Sequence, residues 1–382
     1  MRVQAAVLHQ CGVAAPYASS KPLEVTQLEL TGPGPGEVLV RVAAAGVCHS
    51  DLSVVNGTRP RPVPMVLGHE GSGIVVDVGP GVTRVRPGDH VVFIFVPMCG
   101  KCAECLSGRP YLCMPGQAAN RAGTLVDGGT RFRFPSGGSV YHHLGVSAFA
   151  EHTVVHETSV VPIERDVPLE IAALFGCAVM TGVGAVVNTA RVEPGTAVIV
   201  FGMGGVGLSA VMGARLSGAW PVIAADIVDA KLELARKVGA THVVNAAAPD
   251  WLDQVRDLTG GGADYAIEAV GSENAVLQAF EAVKPGGLAV AAGLPHPSRR
   301  LNLPAVALAG EGKRLVGTYM GSSVPLRDLP RYVRLYKAGL LPVDRLVTSV
   351  IGLDQVNEAM DRLERSQEAR QVIRFDGGPM GA

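Results

Sequence analysis

With 382 residues the chain is long for one hydrophobic core, so two domains are expected. Apolar residues make up 48% and the formal net charge is -1; this balance describes a soluble globular protein and removes any electrostatic reason to expect nucleic acid or an anionic membrane as partner. No run approaches the roughly 18 apolar residues of a membrane span, and the N-terminus "MRVQAAVLHQCG" meets His9 too early for a signal-peptide core, so a cytoplasmic protein is expected.

In chain order, "GEVLVRVAAAGV" (36–47), "GSGIVVDVGPGV" (71–82) and "RPGDHVVFIF" (86–95) read as strands, because valine-rich runs alternate with Gly and Pro turns. Next comes "CGKCAECLSGRPYLC" (99–113), in which Cys99, Cys102, Cys105 and Cys113 follow the spacing C-x2-C-x2-C-x7-C. In a reducing compartment, clustered cysteines signal metal ligation. Four thiolates fill the tetrahedral shell of zinc and leave no position for a substrate, so this stretch reads as a structural staple. An iron–sulfur cluster is the competing metal, but its sequence runs tend to continue with C-x3-C-P, and this one does not. Metal chemistry would then need a second, incomplete site. Cys48, His69 and Cys177 could supply two sulfurs and a nitrogen with the fourth position open, and Asp51 and Glu70 could support them. Spacing alone does not separate these residues from ordinary buried thiols and a structural histidine.

From about residue 195 the rhythm changes. Six apolar strands, "TAVIVF", "WPVIAAD", "THVVN", "DYAIEAVG", "GLAVAAG" and "KRLVGTY", are mostly separated by helical segments such as "GLSAVMGARLSG" and "DAKLELARKVGA", the latter with Gly239 as its C-cap. The alternation predicts a doubly wound parallel sheet. "FGMGGVG" (201–207) follows the first strand and opens a helix, with Gly202, Gly204 and Gly207 spaced for a tight turn, a close approach to a pyrophosphate and helix–strand packing. Asp226 ends the next strand, 19 residues after Gly207 (226 − 207), where a carboxylate can bind a ribose 2′-hydroxyl and repel a 2′-phosphate. Ile227 and Val228 offer no arginine in its place, so NAD is expected over NADP. "LVTSVIGLDQVNEAMDRLERS" then returns to an amphipathic, strand-like pattern. The expected division is a β-rich domain at 1–178, a dinucleotide-binding domain at 179–320, and a return to the first domain at 321–382.

Together these motifs resemble the zinc-dependent alcohol dehydrogenases of the medium-chain dehydrogenase/reductase family, along essentially the whole chain. "GHEGSGIVVDVGPGVTRVRPGDHV" is similar to the family's zinc signature, "CGKCAECLSGRPYLC" to its structural zinc lobe, "GMGGVG" (with Gly205) to its coenzyme loop, and "GCAVMTGVGAVVNTARVEPG" to the segment carrying its last zinc ligand. The tail "EARQVIRF" also resembles the family's end. The resemblance implies a GroES-like catalytic domain and a Rossmann coenzyme domain, with two zinc ions per chain. It makes Cys48, His69 and Cys177 the catalytic ligands, with Glu70 and Asp51 behind them. It implies a zinc-bound alkoxide that passes hydride to NAD, with Ser50 accepting the hydroxyl proton. It further suggests that Val206 and Thr181 flank the nicotinamide, Lys231 binds the adenosine ribose, and His49 and Arg370 bind the pyrophosphate.

The sequence also departs from the family. Many members place a histidine where this chain has Ser53, so the outlet of the proton relay is altered. "CHSD" resembles the glutathione-dependent formaldehyde dehydrogenases, but "NGTRPRPVP" is one residue shorter than their loop and carries Arg59 and Arg61 in place of acids. Those arginines either meet an anionic group at the pocket mouth or are surface charge. Phe95 occupies a position that lines the substrate pocket in relatives, which favours primary medium-chain or aromatic alcohols. Residues 115–145 resemble an insertion of dimeric members, so a homodimer paired through strand edges near "LVGTYMG" is expected. The alternatives are thiol-dependent formaldehyde oxidation and a non-catalytic NAD- and zinc-binding protein. Cys11 has no assigned role.

Overall fold

A computed structural model describes residues 1–366 and 368–375; Gln367 and 376–382, part of the expected third segment, lie outside the described residues. The chain divides into two compact units. The first takes Met1–Cys177, Val324–Arg334 and the chain from Val347 on; the second takes Ala178–Ser323 and Leu335–Leu346. The crossing at Cys177/Ala178 and the return at Ser323/Val324 lie close to the expected boundaries. The additional excursion Leu335–Leu346 has no counterpart in the single return read from sequence.

Among the described residues the first unit is built on two sheets. Arg2–Leu8, Leu23–Leu30, Phe132–Arg133, Ser139–His142 and Met65–Val66 close a small barrel. A seven-stranded sheet runs in the order Val160–Ile163, His90–Phe93, Gly71–Val78, Glu37–Val47, Arg370–Arg374, Val347–Ile351, with His152–His156 also paired to Glu37–Val47. The strand Glu37–Val47 is nearly continuous in burial because sheet partners and core residues cover it on both faces. Its small end, Ala43–Gly46, makes room for a functional side chain: a Cβ on Gly46 would stand 2.9 Å from Glu70 Cδ. The core here includes Val38, Val40, Val42, Leu52, Phe93 and Phe149.

Residues 115–145 are built into this unit. Met114–Ala122 is a helix, and Phe132–Arg133 and Ser139–His142 are barrel strands. Arg131 fastens the segment, its Nε and Nη2 donating to the two carboxylate oxygens of buried Glu37 at 2.7 and 2.6 Å.

In the second unit the six expected strands are observed as Val198–Phe201, Val222–Asp226, His242–Asn245, Ala263–Glu268, Val283–Ala291 and Arg314–Gly317. Numbered one to six along the chain they lie in the order 3-2-1-4-5-6, all parallel. The order reverses at Val198–Phe201, so its C-terminal end is the switch point where an open α/β sheet presents its ligand crevice. The helices Gly205–Leu216 and Asp229–Val238 follow the first two strands, and Gly239 caps the second with φ 124°. The expected fold class, a β-rich unit with a doubly wound parallel-sheet unit, is the one observed. No single helix among the described residues is long and apolar enough to cross a membrane.

Candidate metal and coenzyme sites

The "CHSD" sequence folds by a local device. Cys48 ends its strand and N-caps the helix His49–Val55, and Asp51, at the third helical position, returns its Oδ2 to the Cys48 N–H at 3.1 Å. This capping box sets a thiol and a carboxylate side by side. His69 and Glu70 come from the turn between Met65–Val66 and Gly71–Val78, while Cys177 follows the short helical turn Ala173–Gly176. Cys48, His69, Glu70 and Cys177 are all buried, and their ligand atoms lie within 4.8 Å of one another.

This donor set fits zinc. Two ligands of one tetrahedral zinc, a sulfur and a nitrogen, stand about 3.5 Å apart; Cys177 Sγ and His69 Nε2 are separated by 3.4 Å. His69 Nδ1 donates to Asp51 Oδ1 at 3.0 Å, which leaves Nε2 as the atom able to ligate. The electrostatics also ask for a cation. A hydrogen bond from Cys177 draws the Cys48 thiol well below its ordinary range, and the same contact, with burial, pushes Cys177 up. Burial alone would lower His69, but Asp51 and Cys48 outweigh it and raise the ring. Burial alone would likewise raise Asp51, yet the His69 charge and the two rings beside it hold the carboxyl below the usual range.

Around this cluster, Phe95 meets the His69 ring edge to face, centroids 5.6 Å apart at 89°. The Arg370 guanidinium is buried, with Nη2 3.4 Å from Glu70 Oε2 and Nη1 donating to Val47 O at 3.3 Å. This side chain, expected at a pyrophosphate, is tied to the carboxylate beside the metal ligands. Ser50 is half-buried in the first helical turn, and His49 is exposed. Ser53 Oγ donates to His49 O at 2.8 Å, so its hydrogen is held by the backbone. Arg61 Nη1 donates to Asn120 O at 3.2 Å, and Asn120 in turn donates to Phe95 O at 2.7 Å, so Arg61 is fastened to the helix Met114–Ala122. Arg59 is half-buried, and Cys11 Sγ lies 3.6 Å from Arg61 O.

Sequence reasoning overlooked His143. Its ring is buried, with Nδ1 3.1 Å from Asp51 Oδ1. Its one signal was the pair "HH" in a stretch read as an insertion; the contact joins residues far apart in the chain.

Cys99, Cys102, Cys105 and Cys113 form a second cluster with ligand atoms within 4.8 Å. Two sulfurs of one tetrahedral zinc stand about 3.8 Å apart; Cys102 and Cys113 Sγ are 4.0 Å apart. The Cys99 and Cys102 N–H groups donate to Cys113 and Cys99 Sγ, each at 3.3 Å, an arrangement that suits thiolate acceptors.

In the second unit Gly204 N-caps the helix that begins at Gly205, and a Cβ on Gly204 would meet open space. A Cβ on Gly207 would lie 1.7 Å from Gly202 O, so that position closes the turn. Asp226 Oδ2 accepts the Met203 N–H at 2.6 Å and Oδ1 the Val228 N–H at 3.0 Å, which fixes the carboxylate beside the glycine loop. Lys231 lies half-buried in the first turn of the following helix. Thr181 and Val206 are on two closely packed helices: a Cβ on Gly182 would stand 2.2 Å from Val206 O. The loop, the helix N-terminus and Asp226 together could hold a dinucleotide.

Comparison with known proteins agrees with this chemistry. A family model described as "Alcohol dehydrogenase GroES-like domain" matches residues 34–165, and one described as "Zinc-binding dehydrogenase" matches residues 205–338. The chain is 36% identical over 384 residues to an S-(hydroxymethyl)glutathione dehydrogenase of Paracoccus denitrificans, covering 98% of this chain and 100% of that one. The crystal structure of benzyl alcohol dehydrogenase from Acinetobacter calcoaceticus superimposes with a TM-score of 0.91 at 34% identity, covering 98% and 99% of the two chains. That of acetophenone reductase from Geotrichum candidum, in complex with NAD, does so with a TM-score of 0.78, at 27% identity over 98% and 97%.

Proposed function

The chain belongs to the zinc-dependent alcohol dehydrogenases of the medium-chain dehydrogenase/reductase family, with zinc and NAD as cofactors, and from that membership we propose that it reversibly oxidises primary medium-chain or aromatic alcohols to aldehydes by hydride transfer to NAD. The observation that carries the reading is the buried Cys48–His69–Cys177 set, whose spacing suits zinc and beside which, among the described residues, stands the Glu70 carboxylate and no fourth sulfur or imidazole. Zinc held there supplies a Lewis acid that lowers the pKa of an alcohol oxygen.

The chain's own residues have distinct tasks in this reading. Asp51 holds the His69 Nδ1 proton, so Nε2 stays turned to the metal position. Ser50 Oγ takes the substrate's hydroxyl proton. With Ser53 bonded to His49 O, the onward path is assigned to water. Phe95 gives an apolar wall beside His69, which favours alkyl and aryl substituents. The N-terminus of Gly205–Leu216 binds the pyrophosphate, while Asp226 and Lys231 read the adenosine ribose. Thr181 and Val206 hold the nicotinamide, because hydride transfer needs the reacting carbons about 3–3.5 Å apart. Arg370 secures Glu70 in addition to any phosphate role. We assign the enzyme to the cytoplasm and read it as a homodimer paired through the edge strand Arg314–Gly317, where Val316 is exposed.

A second reading, oxidation of a formaldehyde–thiol adduct, is favoured by the name of the Paracoccus relative. The attachment of Arg61 to Asn120 counts against a pair of free arginines awaiting an anionic adduct. NADH formation by the zinc-loaded protein distinguishes the two, with ethanol, hexanol, benzyl alcohol, secondary alcohols, and formaldehyde with and without thiol. NADP runs in parallel. The expected result is turnover of thiol-free primary alcohols with NAD, lost in Cys48→Ser. Turnover of formaldehyde with thiol alone would replace the proposal by the second reading.

A further inference from the structure

Asp51 carries more than its helix requires. Its Oδ2 caps the helix, whereas its Oδ1 faces three nitrogens: Gly68 N at 3.2 Å, His69 Nδ1 at 3.0 Å and His143 Nδ1 at 3.1 Å. Asp51 and both rings are buried, and the rings stand edge to face with centroids 5.4 Å apart at 86°. A cation bridging these three side chains does not fit. Two nitrogen or oxygen ligands of one zinc stand about 3.3 Å apart, and both ring nitrogens are closer than that to the carboxylate oxygen, at hydrogen-bond separations.

The loop that presents His143 is fastened to the turn that presents His69. Its N–H donates to Ser147 Oγ at 2.9 Å, and Ser147 Oγ donates to Val66 O at 2.8 Å. Ala148 N and Phe149 N then donate to Gly68 O and Leu67 O at 2.9 and 3.0 Å. The His143 Nδ1 atom is buried and has no aligned hydrogen-bond partner, and Asp51 Oδ1, 3.1 Å away, is the acceptor that faces it.

We propose that His143 is a positioning residue for the Cys48–His69–Cys177 metal site: its Nδ1–H holds the Asp51 carboxylate so that Oδ1 stays aimed at His69 Nδ1. The inference rests on the reading of those three residues as zinc ligands. A carboxylate buried from water is costly to leave short of donors, so removing one lets Asp51 turn or protonate, and His69 loses its fixed orientation. Groups that orient a metal-bound histidine in this way typically change metal affinity by about 10–100-fold when removed.

The test is zinc affinity of the full chain, measured by chelator competition, with cobalt absorption reporting the geometry of each site. The tetrathiolate site serves as an internal reference. His143→Phe fills the volume without a donor and is expected to weaken the Cys48 site about tenfold, leaving the tetrathiolate site unchanged. His143→Asn places an amide N–H near the Nδ1 position and is expected to recover most of that loss. Should the Phe variant also lose tetrathiolate metal, and so be misfolded, His143→Leu takes its place in the comparison with Asn. Wild-type affinity in the donor-less variant would overturn the proposal, and so would an Asn variant as weak as the Phe variant. If the wild type itself held metal at the tetrathiolate site alone, the zinc reading of the Cys48 site would fail, independently of any His143 variant.

Discussion

His142, the neighbour of His143 in the chain, shows how a buried ring ties stability to pH. Its Nε2 accepts the Arg131 N–H at 3.1 Å, and burial, with the Arg131 charge, lowers its pKa to about 3. An unfolded histidine titrates near 6.5, so between about pH 6.5 and 3 the unfolded chain binds the extra proton. Stability from this residue is therefore complete above pH 6.5 and is lost as the pH falls through that window. His142→Gln should flatten the fall of Tm between pH 7 and 4, while burial of His90, His143 and His152, which are lowered as well, keeps part of the slope. An unchanged slope in thermal melts across that range would refute the assignment. At this scale the sequence exposed Cys48, His69 and Cys177 through motif resemblance, with Asp51 and Glu70 behind them by the same resemblance. It did not expose His143 or the Arg370–Glu70 pair, because both depend on contacts between distant strands.

At the scale of elements, the glycine loop separates architecture from binding. A methyl group on Gly207 collides with Gly202 O, whereas one on Gly204 projects into open space. Gly207→Ala should thus lower Tm and NAD affinity together. Gly204→Ala should melt as the wild type does and still bind NAD more weakly, because the methyl occupies the approach of the pyrophosphate. Calorimetric titration with NAD alongside thermal melts checks this, and undiminished affinity in Gly204→Ala would place the phosphates elsewhere. The strands and helices of this unit were legible because each is a local run with its own turn chemistry: strand, glycine turn, helix, Gly239 cap. The segment 115–145 was not legible in the same way. Its two short strands gain their partners from the barrel and its anchor from Glu37, far away in sequence.

For the whole molecule, the edge of the parallel sheet has a consequence for assembly. Arg314–Gly317 pairs on one side with Val283–Ala291, and at 38% exposure Val316 is a wet apolar residue on an edge that invites a second strand. Light scattering should give twice the mass of the chain, and the amides of Arg314–Gly317 should exchange slowly with solvent deuterium. A single-chain mass with fast exchange at that strand would leave the proposed pairing without support. By itself the sequence determined the two domain types, the tetrathiolate cluster and the glycine loop with Asp226, since spacing and periodicity are local properties of a chain, while the short list of catalytic ligands came from resemblance to a family. Tertiary structure decided which buried groups share a proton or a carboxylate: Cys48 with Cys177, His69 with His143 on Asp51, Arg370 with Glu70. Such pairings follow from burial, where a charge removed from water must find its partner in whatever the fold brings near.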